Sequence, residues 1–401
     1  MTRKIWRVIL SVIVTLSTAA PPALGQQDQT QNAPPKFKRL YVVPKGIEKT
    51  PENMASIHSQ VMSATTIALW NFSQVAYDSN TYTGQMVGRS PFARGRRATT
   101  IPTILIPMKI TMADTKEVFD ASVADPCAPG GKSVSTLIVN SPIFQNSSFT
   151  MNGTSIGSLQ YVDAFQRANF WSLVGGTPYN TEFSSSPTVL SPVSLTVPAI
   201  DGTTIPASTF GGCRDLAEVD YSWWDNEVQT VILPGLSTKG VGPLNLPQLM
   251  LDSVALTLSG QCCALGYHNA FLNTGGILQT YTVNLYDTSG AFGGDISVMS
   301  HEVGEWMDDP LGSNPTPVWG NEGQVVGGCQ NNLEVGDPLT PGFGTPSNSF
   351  SVTLGSVTYS LQELAFYSWF YTSSSLGAGG KFSDNGTFGG NAKACPPGGT
   401  N

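Results

Sequence analysis

Glycine and proline punctuate this chain throughout, at 42 and 28 of its 401 residues. Glycine inside a helix or strand costs conformational entropy, and proline removes a backbone donor. The regular elements must therefore be short and the turns frequent. Long coiled coils and helical repeats are disfavoured, and no internal period of repeat type is present. The chain is long enough to bury a large core, as one large domain or two ordinary ones. Charged residues are 12% and hydrophobic ones 40%, too apolar a balance for intrinsic disorder. A formal charge of −8 supplies no basic face for a general nucleic-acid binder.

The first 25 residues read as a secretory signal. Arg3, Lys4 and Arg7 precede an apolar run from Val8 to Leu16, and Ala23-Leu24-Gly25 offers small residues for cleavage. The run is too short for a membrane span, and no later stretch is apolar for long enough. Cleavage would bring the net charge from −8 to −11, which disfavours anionic membranes and polynucleotides. The expected location is secreted, extracellular or periplasmic. In an oxidising compartment the six cysteines, Cys127, Cys213, Cys262, Cys263, Cys329 and Cys395, suggest disulfides. Cys262 and Cys263 are adjacent, and each is expected to bond elsewhere. Their spacing does not match a zinc ribbon.

Residues 26–95 read as an N-terminal extension, partly disordered or prosegment-like, with a helix around Met54 to Trp70. Ile101 to Met112, Leu249 to Leu258 and Ile277 to Tyr286 read as strands. Leu159 to Trp171, Leu216 to Ile232 and Leu361 to Tyr371 show helical spacing. Gly293 to Met307 predicts a helix ending at Asp309-Pro310, because proline stops a helix and restricts the residue before it.

That helix carries the chemistry. The chain has three histidines, His58, His268 and His301, and the last opens His301-Glu302-Val303-Gly304-Glu305. Positions i and i+4 share one helix face, so His301 and Glu305 can hold one metal ion. Glu302 beside them can serve as general base toward a metal-bound water, the logic of HExxH metallopeptidases with glutamate in place of the second histidine. A third ligand is needed. The candidates are Glu334 and Asp337 in Leu333-Glu334-Val335-Gly336-Asp337-Pro338, with Glu322 a further carboxylate. Glu334 is the chosen ligand, and Asp337 is expected to orient a ligand by hydrogen bonding. Zinc is the expected cofactor, although two carboxylates make a harder cation more difficult to exclude. His268, in Gly266-Tyr267-His268-Asn269, is a candidate to stabilise the oxyanion of a tetrahedral intermediate, or to be a further ligand.

The run Gly266-Tyr267-His268, then Ser300-His301-Glu302-x-x-Glu305-x-x-x-Asp309-Pro310, then Trp319, then Glu334-Val335-Gly336-Asp337, resembles a group of secreted bacterial HExxE proteins. Their pattern reads roughly SHExxExxTDP, a Trp-Tyr pair, and NEIGD with a cysteine. The run is more distantly similar to plant exordium, or phosphate-induced, proteins. The likeness covers about Leu249 to Pro338. This chain departs from it at Trp306-Met307-Asp308, at Trp319 without a following Tyr, and at the insertion bearing Cys329. The resemblance implies a zincin-like metallopeptidase, in which an edge strand before the active helix holds extended substrate.

The expected architecture is therefore α+β: a zincin-like domain over 96–401 with a mixed, mostly antiparallel sheet, an active-site helix and further β-rich segments, its metal motif at 301–337. The expected function is a secreted metal-dependent peptidase acting on protein or peptide. The competing reading is a non-catalytic extracellular or wall-associated binding protein with a degenerate metal site. An acid carboxyl peptidase is weaker, because its paired carboxylates cannot be located. A serine hydrolase finds no GxSxG elbow.

Overall fold

The longest apolar runs become the middle of a sheet. In the computed structural model, which describes residues 46–95, 98–293, 295–320, 329–340 and 348–392, five strands define the principal sheet. They are β1 (Thr103–Met112), β2 (Val193–Val197), β3 (Leu246–Asp252), β4 (Gly266–Leu272) and β5 (Leu278–Tyr286), in the spatial order β2-β1-β3-β5-β4. Every residue of β3 and β5 is buried, as expected of strands covered on both faces. The signal peptide and residues 26–45 lie outside the described residues, as do Glu322 and Cys395.

The chain is α+β and the sheet is mixed, but "mostly antiparallel" does not hold for its centre. The pairs β2–β1, β1–β3 and β3–β5 are parallel, and among these five strands only β4 runs antiparallel, against β5. Parallel neighbours need long crossovers. The chain supplies them with the 80-odd residues between β1 and β2, including the helix α1 (Tyr161–Asn169), and with a second, four-stranded sheet between β2 and β4. The β4–β5 hairpin needs only a tight turn, in which Asn273 Oδ1 accepts from the N–H groups of Gly275 and Ile277 at 2.9 and 3.0 Å.

Two cores flank this sheet. On one face Ile106, Met108, Leu249, Leu251, Tyr267 and Tyr281 pack together. On the other, Leu105, Leu246, Met250, Ala270 and Tyr286 meet the helix α2 (Ser297–Asp308). Eleven of the twelve α2 residues are buried, since strands β4 and β5 cover one side and α1 and the strand Val357–Gln362 cover another. Asp309 ends the helix, its φ of −134° and ψ of 65° lying outside the helical region, ahead of Pro310. The segment from residue 46 to 95 belongs to the same core, with Phe72 packed edge-on against Tyr367.

Local signals overrode helical spacing in three places. Pro51–Met62 forms a helix capped by Thr50, but Leu69–Val75 is a strand, because its aromatic and β-branched residues pair with Thr81–Val87. Leu216–Asp220 is a strand, and the helix begins only at Tyr221, where the Asp220 carboxylate caps the Trp223 N–H at 3.0 Å. Val357–Gln362 is a strand, followed by a short helix at Tyr367–Tyr371. The run from Leu249 to Leu258 is broken at Ser253, whose φ of 53° turns the chain out of the principal sheet into the second.

Cys127 and Cys213 form a disulfide across 86 residues. Cys262 and Cys263 bond to each other, which corrects the expectation of separate partners. Leu256 pairs with Ala264 and Thr257 with Cys262, so Cys263 is the extra residue of a bulge. A bulge breaks side-chain alternation and brings neighbouring side chains to one side. No helix among the described residues is long and apolar enough to cross a membrane.

Candidate metal centre

Alternation along β4 sets the first half of the site. Gly266, His268 and Ala270 face α2, and Tyr267 and Phe271 face the opposite core. Gly266 has to be glycine, since a Cβ there would stand 2.8 Å from Glu302 Oε1 and 2.6 Å from Val298. His268 is thereby brought under the middle of α2, fully buried. Its Nδ1 lies 3.6 Å from Glu302 Oε2 and 3.7 Å from Glu305 Oε2. Its Nε2 is 3.0 Å from the Asp309 carbonyl oxygen. A carbonyl can only accept, so Nε2 carries a hydrogen; the raised ring also carries one on Nδ1 toward the carboxylates, and losing it frees Nδ1 as a ligand atom.

The helix supplies the second half. His301 Nε2 is 3.1 Å from Glu305 Oε1, one turn away. His301 Nδ1 lies 3.3 Å from the Thr340 hydroxyl, whose own hydrogen goes to the Gly336 carbonyl at 3.0 Å. The ring therefore donates from Nδ1 and presents Nε2. The side chain of Gln362 holds this arrangement, donating to the Gly336 carbonyl at 2.9 Å and the Thr340 hydroxyl at 2.8 Å. A histidine fixed by a hydrogen bond at its rear nitrogen is the usual setting of a metal ligand.

The loop after the helix brings the remaining carboxylates. Trp319 is buried and donates from its indole N–H to the Asn332 carbonyl at 2.9 Å, and the Asn332 amide donates to Glu334 Oε1 at 2.8 Å. Glu334 points toward His268, its Oε2 3.9 Å from Nε2. The chain then turns at Gly336, whose N–H donates to Glu305 Oε1 at 3.0 Å. Asp337 comes back to the other histidine, with Oδ1 3.7 Å from His301 Nε2, while Oδ2 accepts from Gln330 at 2.9 Å.

All five residues singled out in the sequence, His268, His301, Glu302, Glu305 and Glu334, thus meet in one buried cluster. Within this cluster two sets have ligand atoms within 4.8 Å of one another: His301, Glu305 and Asp337, and His268, Glu302 and Glu305. Asp337, rather than Glu334, stands with His301 and Glu305. The turn at Gly336 is the reason, because it separates the two acids and sends them to different histidines. Thr340 and Gln362 were not legible in the sequence. They act through hydrogen bonds across 39 and 26 residues, which no local motif records.

The cluster holds more acid than base. Burial would raise Glu305, but the charge of His301 and its hydrogen bond hold the carboxyl at about 2. Burial would lower His301, yet Glu305, Glu302 and Asp337 raise it to about 10. His268 is raised despite burial, by its contact with Glu302 and the charge of Glu305. Burial raises Glu302, and burial together with the Glu305 charge raises Glu334 and Asp337 well above the usual carboxylate range. Glu334 shares a side-chain hydrogen bond with Glu305, the acid facing the carboxylate. A donor set rich in carboxylate and imidazole fits a divalent cation. No protein-family model matches the chain, and no curated protein or solved structure matches it.

Proposed function

We propose that the protein is a metal-dependent hydrolase, read most specifically as an exported zincin-like peptidase acting on protein or peptide. The observation that carries the reading is the convergence of His301 Nε2, a Glu305 oxygen and an Asp337 oxygen within 4.8 Å, on a helix that also presents Glu302. These three would be the protein ligands, with zinc the first candidate. The ion would polarise a substrate carbonyl and lower the pKa of a water. Glu302 would serve as the base toward that water, and its burial, which raises its pKa, suits a base that must later return the proton. Protonated His268 would position Glu302 from beneath, its Nδ1 3.6 Å from Glu302 Oε2.

Substrate binding has a natural place. The Leu285 N–H bonds the Leu265 carbonyl and the Asn273 N–H bonds the Ile277 carbonyl. This register turns the backbone groups of Tyr267 and Asn269 toward β5 and those of Gly266 and His268 toward the outer edge of the sheet. An extended peptide added there would run beside the histidines. Export is supported by the signal-like N-terminus and is compatible with the Cys127–Cys213 disulfide.

The test compares wild type, His301→Ala and Glu302→Gln by metal analysis after dialysis and by hydrolysis of a peptide library. The expected result is a bound ion in wild type and Glu302→Gln, none in His301→Ala, and hydrolysis in wild type alone. Hydrolysis by Glu302→Gln at the wild-type rate would exclude the base. An ion held by a wild type that cleaves nothing would give the centre a binding or structural role.

A further inference from the structure

We propose that the centre contains a second cation position, formed by His268 Nδ1, Glu302 Oε2 and Glu305 Oε2, and that filling it captures the general base and suppresses hydrolysis. The inference rests on the function proposed above and concerns the regulation of that same site.

The geometry of Glu305 is the first argument. Its two oxygens are divided between two imidazoles, Oε1 at 3.1 Å from His301 Nε2 and Oε2 at 3.7 Å from His268 Nδ1. A carboxylate shared in this way is suited to bridge two ions. The second argument is the symmetry of support. Each histidine gives its rear nitrogen to a fixed acceptor, the Asp309 carbonyl for His268 and the Thr340 hydroxyl for His301. Each therefore turns its other nitrogen toward Glu305 as a ligand would. A histidine serving only to pack would not need this orientation.

The number of donors is the third argument. Glu302, Glu305, Glu334 and Asp337 are four buried carboxylates around two imidazoles. The neighbouring Asp309 is answered separately, by the N–H groups of Ser313 and Asn314 at 2.9 and 2.8 Å. Four carboxylates and two imidazoles are more donors than one ion takes from a protein, so donors remain for a second position.

The two positions fill in order. The second requires the His268–Glu302 contact to open around an ion, whereas the first leaves Glu302 free. Glu302 cannot accept a proton from water while it ligates a cation. Hydrolysis therefore rises as the first position fills and falls as the second does.

The experiment titrates zinc into the metal-stripped full chain, following both bound ion per chain and peptide hydrolysis. We expect about two ions per chain, with hydrolysis maximal near the first equivalent and reduced roughly a hundredfold by the second. His268→Ala and, separately, Glu302→Gln should each bind one ion, and that retained ion reports an intact His301 side. One ion in wild type overturns the second position and leaves the function proposed above standing. No ion in wild type overturns both. Two ions with undiminished hydrolysis overturn the capture of Glu302.

Discussion

Gly336 packs directly on the imidazole of His301, so closely that a methyl group at this position would overlap the ring around Nδ1. The glycine is demanded by the neighbour and not by its own backbone, whose φ of −86° any residue can adopt. Gly336→Ala should push the ring off its Thr340 and Glu305 partners while the strands and cores remain. We expect ion affinity to fall roughly 10- to 100-fold, measured by competition with a chelator, with an unchanged far-ultraviolet circular dichroism spectrum.

Glu334 and Asp337 can be told apart by conservative amides. Asp337→Asn should weaken ion binding by roughly tenfold or more, because it removes charge beside His301. Glu334→Gln relieves a buried carboxyl crowded by Glu305 and should raise the thermal midpoint of the metal-free protein. Chelator competition and thermal melts on both variants check this. Loss of the first ion in Glu334→Gln alone would reverse the assignment.

Asp295, just ahead of α2, gives a pH dependence away from the histidine–carboxylate cluster. Burial raises its carboxyl to about 7 from the ordinary 3.8, although the backbone N–H of Ser360 and others oppose the rise. The folded protein thus keeps a proton that the unfolded chain releases. The stabilising contribution is complete below about pH 4 and is lost as pH rises through about 7. Asp295→Asn should flatten this part of the profile, a difference of up to a few kcal/mol. Urea unfolding of both proteins across that range measures it.

The Cys127–Cys213 bridge closes a loop of 86 residues and adjoins a buried ion-pair set. Arg214 reaches Asp125 at 2.8 Å and Asp252 at 2.9 Å, and the Thr288 hydroxyl lies between the two acids, 2.6 Å from Asp125 Oδ2 and 2.7 Å from Asp252 Oδ1. Replacing both cysteines by serine should lower stability by roughly 4–5 kcal/mol, from loop entropy in the unfolded chain. The loss is read as a lower urea midpoint, with the ion count unchanged.

The sequence exposed the site more clearly than the architecture. His301, Glu302 and Glu305 lie within one helical turn, and the helix stops where Asp309-Pro310 requires it, so local rules suffice there. The placing of His268 beneath Glu302 depends on which face of β4 meets the helix, and Gly266 was the only local clue. Glu334 and Asp337 were both visible, but the turn at Gly336 that sends them to different histidines was not. The parallel centre of the sheet was missed because strand direction follows from crossovers and not from apolar pattern. Leu216 to Ile232 misled because helical spacing in a short run cannot reveal that Asp220 caps only its second half.

Gln362 has a consequence for anyone who would transplant this centre. Its backbone N–H bonds the Ser300 hydroxyl at 2.8 Å, its amide spans Gly336 and Thr340, and its carbonyl accepts the Tyr161 hydroxyl at 3.0 Å. One side chain and its peptide unit thus tie the helix to the acidic loop and both to the far end of the domain. The motif from 266 to 340 is consequently not a portable cassette. Grafted onto another scaffold, it would carry every acid and imidazole and still leave His301 free to swivel.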